Sequence, residues 1–123
     1  MKVHSAVPVI ATGDVIETVR YFEEVLGFEK QWVWGDPPVY AGLKAGQGIV
    51  YVNYDPDLAT AIGEDGLAPE IFLWVEHIEE VYDQHRRNGA EIIEELSERP
   101  WKAKQYVVLD PNGYRIKVAQ DLT

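Results

Sequence analysis

Apolar positions recur along this chain with two alternating periods, and the order of the alternation predicts its fold. Val7 to Ala11 reads as a first strand. In "TGDVIETVRYFEEVLGFE" the period becomes helical: Val15, Val19, Phe22 and Leu26 lie three or four residues apart, Asp14 is placed to cap with Glu17 as its capping-box partner, and Gly27 ends the run. Three strand-like runs follow, Phe28 to Trp34, Val39 to Lys44 and Gly48 to Tyr54, separated by the turn signals "GDPP" and "AGQG". The order is βαβββ.

The second half repeats it. Glu70 to Val75 reads as a strand, "HIEEVYDQHRRNG" as a helix with arginines in its last turn and Gly89 as its C-cap, and Ala90 to Leu96, Gln105 to Leu109 and Tyr114 to Gln120 as strands. Placing Val9 to Thr12 over Phe72 to Val75 also brings Val15 over Ile78 and Glu17 over Glu80, a weak internal repeat. "YDPDLATAIGEDGLAP" is polar and rich in turn residues and reads as a connector over 55–67. The chain is therefore expected to form a single α+β domain, 1–123, of two tandem βαβββ modules at about 1–54 and 68–123. A helix covers one face of each sheet, so the other face must be buried or used. Joined edge to edge, the two modules would form a curled mixed sheet with a concave face. In the last strand, after the tight turn Asp110 to Gly113, Tyr114, Ile116 and Val118 alternate with Arg115, Lys117 and Ala119. If Ile116 and Val118 pack under the second helix, Lys117 enters the concavity.

Composition narrows the partners. A length of 123 residues suits one domain. A net charge of −10, from 21 acidic and 11 basic residues, argues against nucleic acid, whose phosphates need clustered lysine and arginine. It would draw cationic ligands, although solubility alone accounts for it equally well. Nothing approaches the roughly 18 apolar residues of a membrane span, and "MKVHSAVPVIATGD" lacks a signal-peptide cleavage pattern, so a cytoplasmic location without membrane association is expected. The absence of cysteine removes disulfides, thiolate metal sites and cysteine nucleophiles. His77 and His85 lack the i, i+4 partner of a helical metal pair and read as surface residues. There is no GxSxG, phosphate-binding loop or dinucleotide fingerprint.

The paired modules, with "VPVIATGDVIETVRYFEEVLGFE" at the front, "NGAEI" after the second helix and the closing "DPNGYRIKV", resemble the vicinal oxygen chelate superfamily. That superfamily includes glyoxalase I, extradiol dioxygenases, fosfomycin-modifying enzymes and bleomycin-binding resistance proteins. "VWGDPPVYAGL" and "ERPWKAKQYVVLDPNGY" look most like the bleomycin-resistance branch. The resemblance implies the glyoxalase/bleomycin resistance fold.

Metal-dependent members carry four inward-facing ligands, and the matching positions here are Val7, Tyr51, Glu70 and Lys117. Only Glu70 is a competent ligand for a hard cation, so neither a metal nor another cofactor is expected. Glu70 and Lys117 are either an ion pair standing where a metal would join two strands, or two separate solvated charges. In bleomycin-binding relatives aromatic residues stack on the planar tail of the drug. Here Trp32 and Trp34 share one strand face, Trp74 shares another with Glu70, Trp101 lies in the polar stretch "RPWKAK", and Tyr40, Tyr51 and Tyr106 would complete a comparable pocket. Packing in the core or at a dimer interface is the alternative home for each. The resemblance thus implies a metal-independent protein of the antibiotic-resistance type that sequesters a cationic or aromatic small molecule in the cleft of a homodimer. The alternative is a lyase or isomerase of the same superfamily, acting on a small oxygenated substrate with Lys117, Glu70 or Tyr51 as acid or base.

Overall fold

Asp14 does cap the first helix: its carboxylate accepts the Glu17 N–H at 3.0 Å. The computed structural model describes residues 1–66 and 68–123. Its elements are β1 (Val9–Thr12), α1 (Val15–Glu24), β2 (Glu29–Trp34), β3 (Tyr40–Ala45), β4 (Gly48–Tyr54), α2 (Pro56–Asp65), β5 (Ile71–Trp74), α3 (Ile78–Arg87), β6 (Glu91–Arg99), β7 (Ala103–Leu109) and β8 (Arg115–Asp121). They form two four-stranded sheets of identical topology, β1-β4-β3-β2 and β5-β8-β7-β6. In each, the first strand (β1 or β5), at one edge, runs parallel to its neighbour and the other pairs are antiparallel. This is an α+β fold of two tandem βαβββ modules.

Strand alternation divides each sheet into a face under a helix and an open face. Under α1, Ile10, Val52 and Ala41 form one row and Val50 and Leu43 the next, packed against Val15, Val19, Phe22 and Leu26. Under α3 the equivalent rows are Ile71, Ile116 and Val108, and Leu73, Val118 and Tyr106. Both helix-covered faces feed one continuous core. Directional bonds lock the modules together: the Tyr114 hydroxyl accepts the Ala11 N–H at 2.9 Å, the Tyr21 hydroxyl donates to the Leu109 carbonyl at 3.2 Å, and the Asn112 amide donates to the Thr18 hydroxyl at 3.0 Å.

Two features differ from the pattern-based expectation. The segment read as a connector contains α2, capped by Asp55, which accepts the Leu58 N–H at 3.1 Å, with Pro56 in the first turn. Only Ile62 of this helix is buried, so it lacks the apolar stripe that makes a helix legible. The last residue of the expected connector, Leu67, lies outside the described residues. His85, read as a surface residue, is buried instead: one ring nitrogen faces the Leu26 carbonyl at 3.0 Å and the other the Tyr106 hydroxyl at 2.7 Å. It lies seven residues after the buried Ile78, on the packed side of α3. At the start of α3 His77 is exposed and makes no side-chain cap bond, and the Gln120 side chain accepts the Ile78 N–H at 2.9 Å. Among the described residues no helix is long and apolar enough to cross a membrane.

Candidate functional site

The open faces carry the side chains that the cores leave over. On the first sheet one register row reads Val9, Tyr51, Gly42, Trp32 and the next Ala11, Asn53, Tyr40, Trp34. Gly42 is what allows this arrangement, because a Cβ there would lie 2.5 Å from the Trp32 ring. The indole lies across the backbone at Gly42, stacks on Tyr40 at a centroid distance of 5.5 Å and an angle of 16°, and meets Tyr51 edge-on at 5.2 Å. Tyr40 and Tyr51 also meet edge-on at 6.0 Å, so the three rings support one another as a platform. Trp34, 69% exposed, extends the face outward.

The open face of the second sheet combines aromatic and charged groups. Its rows are Phe72, Lys117, Val107, Glu94 and Trp74, Ala119, Gln105, Ser97. The Phe72 and Trp74 rings lie 4.8 Å apart and stay 44% and 63% exposed. Beside them Lys117 Nζ meets Glu70 Oε2 at 3.0 Å, so the two residues form an ion pair. The same carboxylate lies 3.6 Å from Arg115 Nε, Arg115 donates to Glu94 at 2.6 Å, and Glu94 receives Arg99 at 3.2 Å. Five charged side chains thus run across the sheet, over the fully buried Val107.

The structure sorts the expected site residues into groups. Trp32, Trp34, Tyr40 and Tyr51 gather on the first open face, and Glu70, Trp74 and Lys117 on the second. Trp101 stands apart in the exposed turn between β6 and β7. Tyr106 does not belong to either open face: it is fully buried beneath α3, its ring tilted 57° against Tyr82 at 4.7 Å and its hydroxyl bonded to His85. Burial pushes its hydroxyl pKa upward. Its strand places Tyr106, Val107 and Val108 consecutively, and three apolar residues in a row conceal which one faces the helix.

Phe72, Arg115, Glu94 and Arg99 were missed as site residues. Phe72 and Arg115 were accessible by alternation, because they lie two residues from Glu70 and Lys117 respectively. Glu94 and Arg99 were not, because register shifts in β6 interrupt its alternation.

The four positions matched to metal ligands do not make a metal site. Val7 precedes β1, Tyr51 belongs to the aromatic platform, and Glu70 is engaged by two cations. A divalent ion needs several anionic or neutral donors at once, and an ammonium beside the sole carboxylate repels it. Among the described residues, no three histidine, aspartate or glutamate side chains gather elsewhere in a ligating group. A cavity of about 270 Å³ between the start of α1 and the Pro37–Val39 segment is lined by none of the expected site residues. In a single chain the aromatic faces are surfaces.

A family model described as Glyoxalase/Bleomycin resistance protein/Dioxygenase superfamily matches residues 3–118. No curated protein matches the chain significantly. Among solved structures, TioX from Micromonospora sp. ML1 is similar with 23% identity and a TM-score of 0.78, over 94% of this chain and 97% of that one. A bleomycin-binding protein from bleomycin-producing Streptomyces verticillus, complexed with copper(II)-bleomycin, is similar with 20% identity and a TM-score of 0.74, over 100% and 98%. A bleomycin resistance determinant encoded on the transposon Tn5 is similar with 19% identity and a TM-score of 0.74, over 98% and 100%.

Proposed function

The chain belongs to the Glyoxalase/Bleomycin resistance protein/Dioxygenase superfamily, and from that membership we propose that it is a metal-independent protein of the bleomycin-resistance type that sequesters an aromatic small molecule. The observation that carries this reading is the 3.0 Å ion pair between Glu70 and Lys117, at two of the positions where metal-dependent members hold their ion. Flat aromatic surface flanks it on the same sheet, and a second aromatic platform covers the other sheet. Stacking and exclusion from the target suffice for sequestration, and no reacting group is needed. The site carboxylates Glu70 and Glu94 are already matched by cations, so aromatic surface rather than free negative charge favours the ligand.

The reading includes a homodimer, since β1 and β5 are each paired on one side only and β5 carries the exposed Phe72 and Trp74. An enzyme reading gains no support from this geometry, because Lys117 and Glu70, the candidate acid and base, are engaged with each other.

Titration with metal-free bleomycin, followed through tryptophan fluorescence, tests the proposal directly. Saturable quenching at stoichiometric protein is the expected result. A flat signal together with unchanged mobility of the drug would rule bleomycin out as a ligand and leave the family assignment intact.

A further inference from the structure

We propose that the open face of the second module is built to receive an aromatic acid, its ring lying on Phe72 and Trp74 and its carboxylate on Lys117. The inference rests on the small-molecule-binding reading above and assigns the ligand class for one face of that site. Phe72 and Lys117 are direct partners in the parallel β5–β8 register. Adjacent strands lie roughly 4.8 Å apart, so apolar platform and ammonium meet within the length of one substituted ring. Phe72 and Trp74 meet at 4.8 Å with their planes tilted by 50° and stay 44% and 63% exposed, so a planar group lies on one ring and meets the other at an angle.

The charge arrangement selects the polar end of the ligand. Along the chain Lys117, Glu70, Arg115, Glu94 and Arg99, three cations share two carboxylates. Each carboxylate is divided between two cations. An ammonium has three donors and Lys117 has one anionic neighbour, Glu70 Oε2 at 3.0 Å, which leaves donors for an incoming acceptor. The Nε–H groups of Arg99 and Arg115 are buried without a hydrogen-bond partner among the described residues, two free donors against one free acceptor on this face, the buried Gln105 Oε1. The remaining carboxylates of this face, Glu91 and Asp121, stand at the ends of their strands, outside the ion-paired chain. A protein with net charge −10 therefore presents local cationic excess beside its exposed aromatic pair. A carboxylate meets that excess with short, charge-assisted bonds, whereas an ammonium would be repelled.

Calorimetric titration with three probes that share one ring system tests this: naphthoate, naphthamide and naphthylmethylamine. Naphthoate should bind at least about tenfold more tightly than the amide, with the amine weakest. Lys117→Gln should bring acid and amide within about twofold of each other, while Lys117→Arg, which keeps the cation, should preserve the preference. Equal binding of all three probes, or strongest binding of the amine, would overturn the acid-binding inference and leave aromatic recognition standing. An acid preference that survives in a folded Lys117→Gln protein would overturn the assignment to this face. Failure of all three probes to bind would also overturn it, while the independent bleomycin titration still judges the sequestration reading.

Discussion

At the scale of single residues, the first open face depends on an absent side chain. Gly42 sits in the row of Tyr51 and Trp32, and any Cβ there would stand 2.5 Å from two atoms of the indole ring. The obstructing group is a partly exposed ring rather than backbone, so the ring swings away and the strand survives. Gly42→Ala should change stability by less than about 1 kcal/mol, since alanine also lowers the entropy that glycine loses on folding. It should shift the tryptophan emission and weaken stacking ligands severalfold, because Trp32 can no longer lie against Tyr40 and Tyr51. Urea unfolding monitored beside ligand titration separates the two effects. A large loss of stability would show that Trp32 is held more rigidly than its exposure indicates.

At the scale of elements, the two helices that open with aspartate show what a sequence does and does not reveal. Asp14 and Asp55 both accept the N–H three residues on. The first was legible because Val15, Val19 and Phe22 follow it as a stripe, and the second was read as part of a connector because its stretch is polar and rich in turn residues, and in the structure it buries only Ile62. Packing, not propensity, makes α2 a helix: it rests against β1, and a Cβ on Gly113 would reach within 3.4 Å of the Gly63 Cα. Asp55→Ala should accordingly lower stability by about 1 kcal/mol, the usual loss for an N-cap, seen as a lower urea midpoint.

His85 was misread for a related reason. Its spacing from Ile78 fits the buried stripe of α3, but the arginines beside it suggested a surface. Its burial disfavours the charged ring and holds its pKa below the usual value of 6.5. An imidazole whose pKa is lower when folded takes up its proton more readily in the unfolded chain. The neutral ring therefore contributes stability that is full above pH 6.5 and lost as the pH falls through that value toward the folded pKa. The urea midpoint should decline with acid over that window, and His85→Gln should flatten the decline. An unchanged slope in the variant would assign the acid sensitivity to other groups. The paired modules and the order of their elements along the chain were readable from periodicity, whereas the full ion-paired chain was not, because Glu94 comes between Arg115 and Arg99 only through the register shifts of β6.

At the scale of the molecule, one chain leaves both open faces without a cover. Trp34 and Trp74 are more than half exposed, Trp34 beside Trp32 on the β2 edge of the first sheet and Trp74 beside Phe72 on the β5 edge of the second, and β1 and β5 are each paired on one side only. Free strand edges invite pairing, and monomers seldom keep large apolar patches in water. The modules share a topology, so one two-fold axis that sets the β1 edge of one copy beside the β5 edge of another does so twice. Such a pairing covers four edges at once. Sedimentation equilibrium should therefore give twice the chain mass of 14.0 kDa at micromolar concentration. Burying a large aromatic side chain is worth roughly 1.5–3 kcal/mol, so the double substitution Phe72→Ser with Trp74→Ser, both on β5, should weaken association by about a hundredfold or more if these rings meet the partner. If the rings serve only the ligand, the same variant should remain dimeric while losing affinity for aromatic probes. A monomeric mass for the unaltered chain at high concentration would refute the dimer and leave each open face to bind its ligand as an exposed surface.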